Sequence, residues 1–378
     1  MGIIINESKA RWGYLMRYVP ISCLREGMIV AKSLYNTNNK LLVRRGFPIK
    51  QLYLERIKSL GYQGVYIEDD LSEGLEIKDI ISNELRRTAI YTIKDVFTAM
   101  NMSKNSTSKS VSHKLNNTKK LIENIVYDII NNENTIVNMV DIKLFDEYTF
   151  FHSVNVAILS IVLGQGLKLS SKELYDLGIA AVLHDIGKVY IDKEILLKNG
   201  ELTEEEYETV QKHSEFGYRH LKNSYEIPIA SYVGVLQHHE KYDGTGYPQK
   251  KKKEEISLFG RIICIADVYD AITSNRPYRK AMLPSEAMEY IMANSGSMFD
   301  ENIVKVFINK IAAYPIGTMV KLSNGVEALV IENNNVTPLR PVVKIYKDEK
   351  GNEMISSNII NLGDMSSSKN ITIVDLVH

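Results

Sequence analysis

The chain has 378 residues, 44% of them hydrophobic and 24% charged, and its 46 basic residues are matched by 46 acidic ones. That is enough chain for two or three globular domains, and the charge balance gives no electrostatic reason to bind a nucleic-acid polymer or an anionic membrane. Two cysteines cannot build a disulfide framework, no uninterrupted apolar run approaches about 18 residues, and the amino terminus lacks a signal-peptide pattern. The expectation is a soluble, cytoplasmic protein.

Residues 18–68 mix short apolar runs ("GMIVAKSLY", "KLLVRRG", "GVYIED") with turn residues, and one helix is expected around "IKQLYLERIKSLG", ended by Gly61. Residues 1–75 therefore read as a β-rich segment. Helical spacing begins with Ile77, Ile80, Ile81 and Leu85 and continues through Val96, Phe97 and Met100. The polar stretch "NMSKNSTSKSVSHK" (101–114) reads as a loop, after which the helical pattern runs from Leu115 to about residue 313. Ser170 with Glu173, and Thr203 with Glu206, have capping-box spacing. Residues 315–378 return to strand patterns, with Asn324-Gly325 as one hairpin turn and "RPVVKIYKDEKGNEMI" as a second hairpin. The fold class expected is mainly α: a helical bundle over residues 76–314, between two small β-rich ends.

Among the histidines that fall within the helical stretch are His152, His184, His213, His238 and His239. A single histidine on an apolar helix is ordinarily a satisfied core residue, but five repetitions of that explanation are poor. Asp185 follows His184 at the end of the apolar "LYDLGIAAVL", and Asp267 is surrounded by Ile262, Ile263, Ile265, Ala266 and Val268. A carboxylate in such surroundings is costly unless a positive partner compensates it. A divalent metal answers both problems, and imidazole with carboxylate suits Fe, Mn, Zn, Ni or Co. Seven N and O ligands exceed the needs of one ion, so at least two are implied.

The order His152, "HDIGK", His213 and Asp267 resembles the HD phosphohydrolase superfamily, and "QHHEKYDGTGYP" narrows the resemblance to its HD-GYP subfamily. "YTFFHSVNVAILS", "ADVYDAITSNRPYRK" and "GSMFDENIV" extend the likeness over most of residues 141–313. An HD-type helical bundle and hydrolysis of cyclic di-GMP, or of a similar cyclic dinucleotide, are what this resemblance implies. It also implies that His152, His184, His213, His238, His239 and Asp267 are metal ligands, with Asp185 bridging two ions. Lys188 would hold a phosphate oxygen or the attacking water; its alternative role is to complement a helix C-terminus.

Gly244 and Gly246 give the loop after His239 its backbone freedom, and Pro248 stiffens the exit so that Tyr247 is presented at the rim to a guanine or phosphate. The lysine run that follows reads as solvated surface. The resemblance implies that the segment "SNRPYRK" contributes to substrate binding, so Arg276 and Arg279, suited to bidentate phosphate contact and to stacking on bases, are expected to contact phosphate or guanine. Asp270, one turn after Asp267, is expected to contact substrate or else to orient Arg276 or a ligand imidazole. Some subfamily members hold a third ion with an acidic residue one turn before the first histidine. Here Tyr148 occupies that place and Glu147 comes one residue too early, so two ions, Fe or Mn, are expected.

The expected chemistry is attack by a metal-bridging hydroxide on a phosphodiester clamped between ions roughly 3.5–4 Å apart, giving pGpG and, on a second cut, GMP. The rival expectations are a degenerate module that binds a cyclic dinucleotide or a partner protein, and a nucleotidase acting on dNTPs or (p)ppGpp. Assembly as a homodimer is left open.

Overall fold

The computed structural model describes residues 14–36, 40–60, 62, 64–72, 75–77, 79–103, 109–132, 136–137, 148–198, 200–223, 227–274, 281–334, 336–353, 358–364, 366 and 368–377. The chain forms two compact units, one made of residues 1–79, 138–142 and 314–378, the other of residues 80–137 and 143–313.

The first unit holds the strands. From its amino-terminal part come β1 (Tyr14–Leu15), β2 (Arg17–Pro20), β3 (Ile29–Val30), β4 (Leu34–Tyr35), β5 (Leu41–Val43), the helix α1 (Gln51–Ser59), β6 (Gly64–Glu68) and β7 (Glu76–Ile77). Here β6 lies between β2 and β3, while β1 pairs with β7 and β4 with β5. The carboxy-terminal part supplies β8 (Met319–Leu322), β9 (Glu327–Glu332), β10 (Val342–Lys347), β11 (Ile359–Asn361) and β12 (Ile373–Leu376), in the sheet order β11-β10-β9-β8-β12. Gly325 turns β8 into β9 at φ +86°, a conformation glycine adopts without steric cost, and the Asn324 side chain accepts from the Val326 amide at 3.3 Å.

The two ends of the chain share a core, whereas the sequence suggested separate flanking segments. Ile316 packs on the cluster of Met16, Ala31, Tyr66 and Ile77, and Leu75 is buried with Met319 and Leu329. The Tyr18 amide also donates to the Gly317 carbonyl at 3.2 Å. The carboxy-terminal sheet also has a cluster of its own, built of Val320, Leu322, Val326, Ala328, Val330, Val343 and Leu362.

The second unit is helical: α2 (Asn83–Ser103), α3 (Lys109–Asn131), α4 (Tyr148–Gly166), α5 (Ser171–Val182), α6 (Lys193–Leu196), α7 (Glu204–Gln211), α8 (His213–Lys222), α9 (Ile229–Gln237), α10 (Leu258–Ile272), α11 (Pro284–Ala293) and α12 (Glu301–Lys310). Central to it is α4, which packs on α2, α5, α10 and α12 and is apolar nearly all round, as a helix enclosed by others must be. Its window Thr149–Gly166, with mean hydropathy 1.3, is long and apolar enough to cross a membrane, but 72% of it is buried inside the unit. Both capping boxes form, on α5 and α7. The stretch 101–114 departs from expectation: α2 continues to Ser103, and α3 begins at Lys109 and already buries Val111 and Leu115. Residues 104–108 of that stretch lie outside the described residues.

Candidate metal centre

The site is built at helix ends. His184 and Asp185 follow the last residue of α5, His213 opens α8, and His238 and His239 follow the last residue of α9. His152 stands in the second turn of α4, and Asp267 and Asp270 lie one turn apart on α10. The fold thus brings together His152, His184, Asp185, His213, His238, His239 and Asp267. Their donor atoms form three overlapping groups, each within 4.8 Å: His152, His184 and Asp185; His184, His238 and Asp267; His213, His238 and His239. Neighbouring imidazole centroids lie 4.0–5.3 Å apart.

Hydrogen bonding sets the tautomers. His184, His213 and His238 each donate Nδ1–H to the carbonyl three residues earlier, that of Ala181, Val210 or Val235, at 2.7, 2.7 and 2.6 Å. Burial pushes the pKa of His213 down to about 4 and holds that of His238 far below the ordinary range, so both rings are neutral near pH 7. Their Nε2 atoms therefore carry lone pairs, and these face each other at 3.3 Å. The buried Nε2 of His184 makes no hydrogen bond to the described residues; Asp185 Oδ2 stands 3.4 Å away. Inward-facing acceptors beside two acids are unfavourable unless a cation lies among them. The donor set fits a divalent metal, and imidazole with carboxylate is the ligand chemistry of Fe, Mn, Zn or Ni.

Asp185 is 2% exposed. Burial would raise its pKa, but Lys188 Nζ at 2.6 Å, with His184 and His213, holds it well below the carboxylate range. The Lys188 side chain is a third exposed. Asp267 is also held low, its burial outweighed by His152, whose Nε2 lies 3.0 Å from Oδ1. In His152 burial opposes charging, yet hydrogen bonds to Asp267 and Asp270 lift the pKa to about 9.

Asp270 lies behind His152. It is 1% exposed, with Oδ2 accepting from His152 Nδ1 at 2.8 Å and Oδ1 from Asn155 Nδ2 at 3.0 Å. Both oxygens are engaged by buried side chains of α4.

Tyr247 is half-buried with its ring 4.8 Å from that of His239, and its amide donates to the His239 carbonyl at 3.2 Å. Gly244 adopts φ +84°. A Cβ on Gly246 would run into the backbone of His239, Glu240 and Lys241, which explains glycine there. Pro248 follows in a cis peptide. Glu240, which the sequence reading passed over, pins this loop: it is 1% exposed and accepts from the amides of Gln249 at 2.6 Å and Lys251 at 3.1 Å. Its place directly after the paired histidines was the available signal. Arg276, Arg279 and Glu147 lie outside the described residues, as does the side chain of Tyr148.

A family model described as "HD domain" matches residues 124–303, and one described as "KOW domain associated with HD domain" matches residues 319–378. A cyclic di-GMP phosphodiesterase of Pseudomonas aeruginosa is 30% identical over 375 residues, covering 92% of this chain and 89% of that one. The chain belongs to the HD-GYP subfamily of the HD phosphohydrolases. Among its HD-GYP relatives, a cyclic di-GMP phosphodiesterase of Thermotoga maritima is 35% identical, covering 55% of this chain and 57% of that protein. The 3'3'-cGAMP-specific phosphodiesterase 3 of Vibrio cholerae is 40% identical, covering 40% of this chain and 33% of that protein. A solved HDG"Y"P protein from Bdellovibrio bacteriovorus superposes with a TM-score of 0.47 at 18% identity, covering 77% of this chain and 98% of that one.

Proposed function

We propose that this HD-GYP chain is a cyclic di-GMP phosphodiesterase that uses two divalent ions, iron or manganese. The observation that carries the reading is the pair of bare imidazole nitrogens of His213 and His238, 3.3 Å apart beside the buried Asp185. His152, His184, His213, His238, His239 and Asp267 would hold the ions, and Asp185, with two oxygens to share, would bridge them. Bound there, the metals would supply Lewis-acid activation of water and of the phosphodiester.

The chain's own groups then do the rest. Lys188 would turn its ammonium to a phosphoryl oxygen and offset the charge that grows there as the ester opens. Water adds to phosphorus, the bond to the 3′ oxygen breaks and that oxygen takes a proton, leaving linear pGpG; a second cut gives GMP. Tyr247, over His239, would shape the rim against a guanine or phosphate, and Arg276 and Arg279 are assigned to the substrate's phosphates or bases. The resemblance to a cGAMP-specific enzyme makes 3'3'-cGAMP the competing substrate.

The test is anaerobic purification, elemental analysis and product chromatography with cyclic di-GMP and 3'3'-cGAMP in parallel. The expected result is close to two ions per chain, with pGpG formed from cyclic di-GMP first. Full turnover after exhaustive chelation, or hydrolysis of neither dinucleotide by metal-replete protein, would overturn the reading.

A further inference from the structure

A chain of hydrogen bonds leaves the metal centre and ends on a helix that precedes the matched HD domain. Its first link is His152 Nδ1 donating to Asp270 Oδ2 at 2.8 Å. In the second, Asn155 Nδ2 donates to Asp270 Oδ1 at 3.0 Å. In the third, Arg86 Nη1 donates to Asn155 Oδ1 at 2.9 Å. His152, Asn155 and Asp270 are buried; Arg86 is half-buried on the first turn of α2, and the HD match begins only at residue 124.

Each link fixes the next. A primary amide has two faces, a carbonyl oxygen that only accepts and an NH2 that only donates. Left alone in its pocket, Asn155 could rotate by half a turn and point its oxygen at the Asp270 carboxylate, setting acceptor against acceptor. A guanidinium only donates, so Arg86 forces the carbonyl of Asn155 toward α2 and the NH2 toward Asp270. With one oxygen held by Asn155, Asp270 presents the other to His152 and keeps the proton on Nδ1. That leaves Nε2 directed at Asp267, on the ligand side of the ring.

We infer that Arg86, acting through Asn155 and Asp270, is a positioning residue that sets the tautomer and ring angle of His152, so that α2 is a working part of the metal centre. This rests on the reading of His152 as a metal ligand, but not on the identity of the substrate.

The experiment is a double-mutant cycle read by metal affinity: competition of the full-length protein with a chelator indicator for Mn2+, with the melting temperature of the chelator-treated protein as control. Substitutions that disturb groups behind a ligand typically cost 10–100-fold in metal affinity or activity. Arg86→Met keeps the aliphatic stem and removes the donors; it should lower Mn2+ affinity about tenfold while the melting temperature of the treated protein stays unchanged. Asn155→Ala should lower affinity more. The variant carrying both should match Asn155→Ala alone, because the effect of Arg86 on His152 passes through that amide. Arg86→Lys, which retains one donor, should recover part of the loss.

Additive losses, or unchanged affinity in Arg86→Met, would overturn the proposal. So would a loss that appears only together with a lower melting temperature in both Arg86→Met and Arg86→Lys, since that marks a packing role. Lowered affinity in a protein that cleaves neither dinucleotide would uphold the relay while removing the substrate assignment.

Discussion

Gly187, inside "HDIGK", sits where the turn after Asp185 meets the start of α8. A methyl group built on it would lie 2.6 Å from the Gly217 nitrogen, 2.8 Å from the His213 carbonyl carbon, and closer still to the His213 carbonyl oxygen. Ordinary contact begins near 3.4 Å, so the Gly217 nitrogen alone would require the α8 backbone to retreat by about 0.8 Å, and the nearer His213 carbonyl oxygen requires more. No flexible side chain is available to absorb that movement, and His213 hangs from the backbone that must move. Its Nε2 stands 3.5 Å from Asp185 Oδ1 and 3.3 Å from His238 Nε2, and a misplacement near 1 Å costs about 100-fold in rate. Overpacking adds about 1–3 kcal/mol of destabilisation. Gly187→Ala should therefore lose about 100-fold in hydrolysis together with part of its metal, measured by product chromatography and elemental analysis. Gly217→Ala is the matched control on the facing side. Its Cβ would meet the Val235 side chain at 3.0 Å and the Gly187 nitrogen at 3.4 Å, and alanine's better helix propensity offsets a tight but yielding contact. That variant should keep its metal and stay within about 1 kcal/mol of the parent. Full metal content and more than a third of parental activity in Gly187→Ala would refute the reasoning.

Asp185→Ala should reduce hydrolysis below a tenth of the parental rate, because it removes both the assigned bridge and the partner of Lys188; steady-state kinetics with added Mn2+ checks this. Glu240→Ala leaves two loop amides without their acceptor, at about 1–3 kcal/mol; the expected signature is a raised KM with metal content preserved, and lost metal would show the residue to serve the ligands instead. Stability should depend on pH through His213, whose folded pKa of about 4 lies below its ordinary 6.5. The unfolded chain takes up the proton first, so the contribution is present above about pH 6.5 and lost as pH falls toward 4. It is on the order of 3 kcal/mol at about 1.4 kcal/mol per pKa unit, and urea denaturation of chelator-treated protein across that range should follow it in sign.

What the residues declare by themselves, and what they declare only once folded, separates along physical lines. Imidazoles and acids embedded in apolar runs are costly whatever their surroundings, so the cluster of histidines and acids was legible before any coordinates. Caps and hairpin turns were legible for a similar reason, since Ser170, Thr203 and Asn324-Gly325 act on backbone groups within a few residues. The joining of the two β-rich ends was not legible, because Met16 and Met319 belong to patterns that each resemble an independent segment. Nor were the surroundings of Asp270: its carboxylate could have faced a phosphate or an imidazole, and it meets His152 and also Asn155, 115 residues away, whose amide in turn meets Arg86, 69 residues further from Asn155 along the chain. An amide costs less to bury than a carboxylate, and Arg86 is only half-buried, so neither stands out in a sequence as the acids do. A ligand announces itself by the cost of burying it, whereas a group that aims the ligand is cheap where it stands. In this chain, evidence for such aiming groups therefore has to come from hydrogen-bond geometry, and it leads outside the stretch whose motifs identify the family.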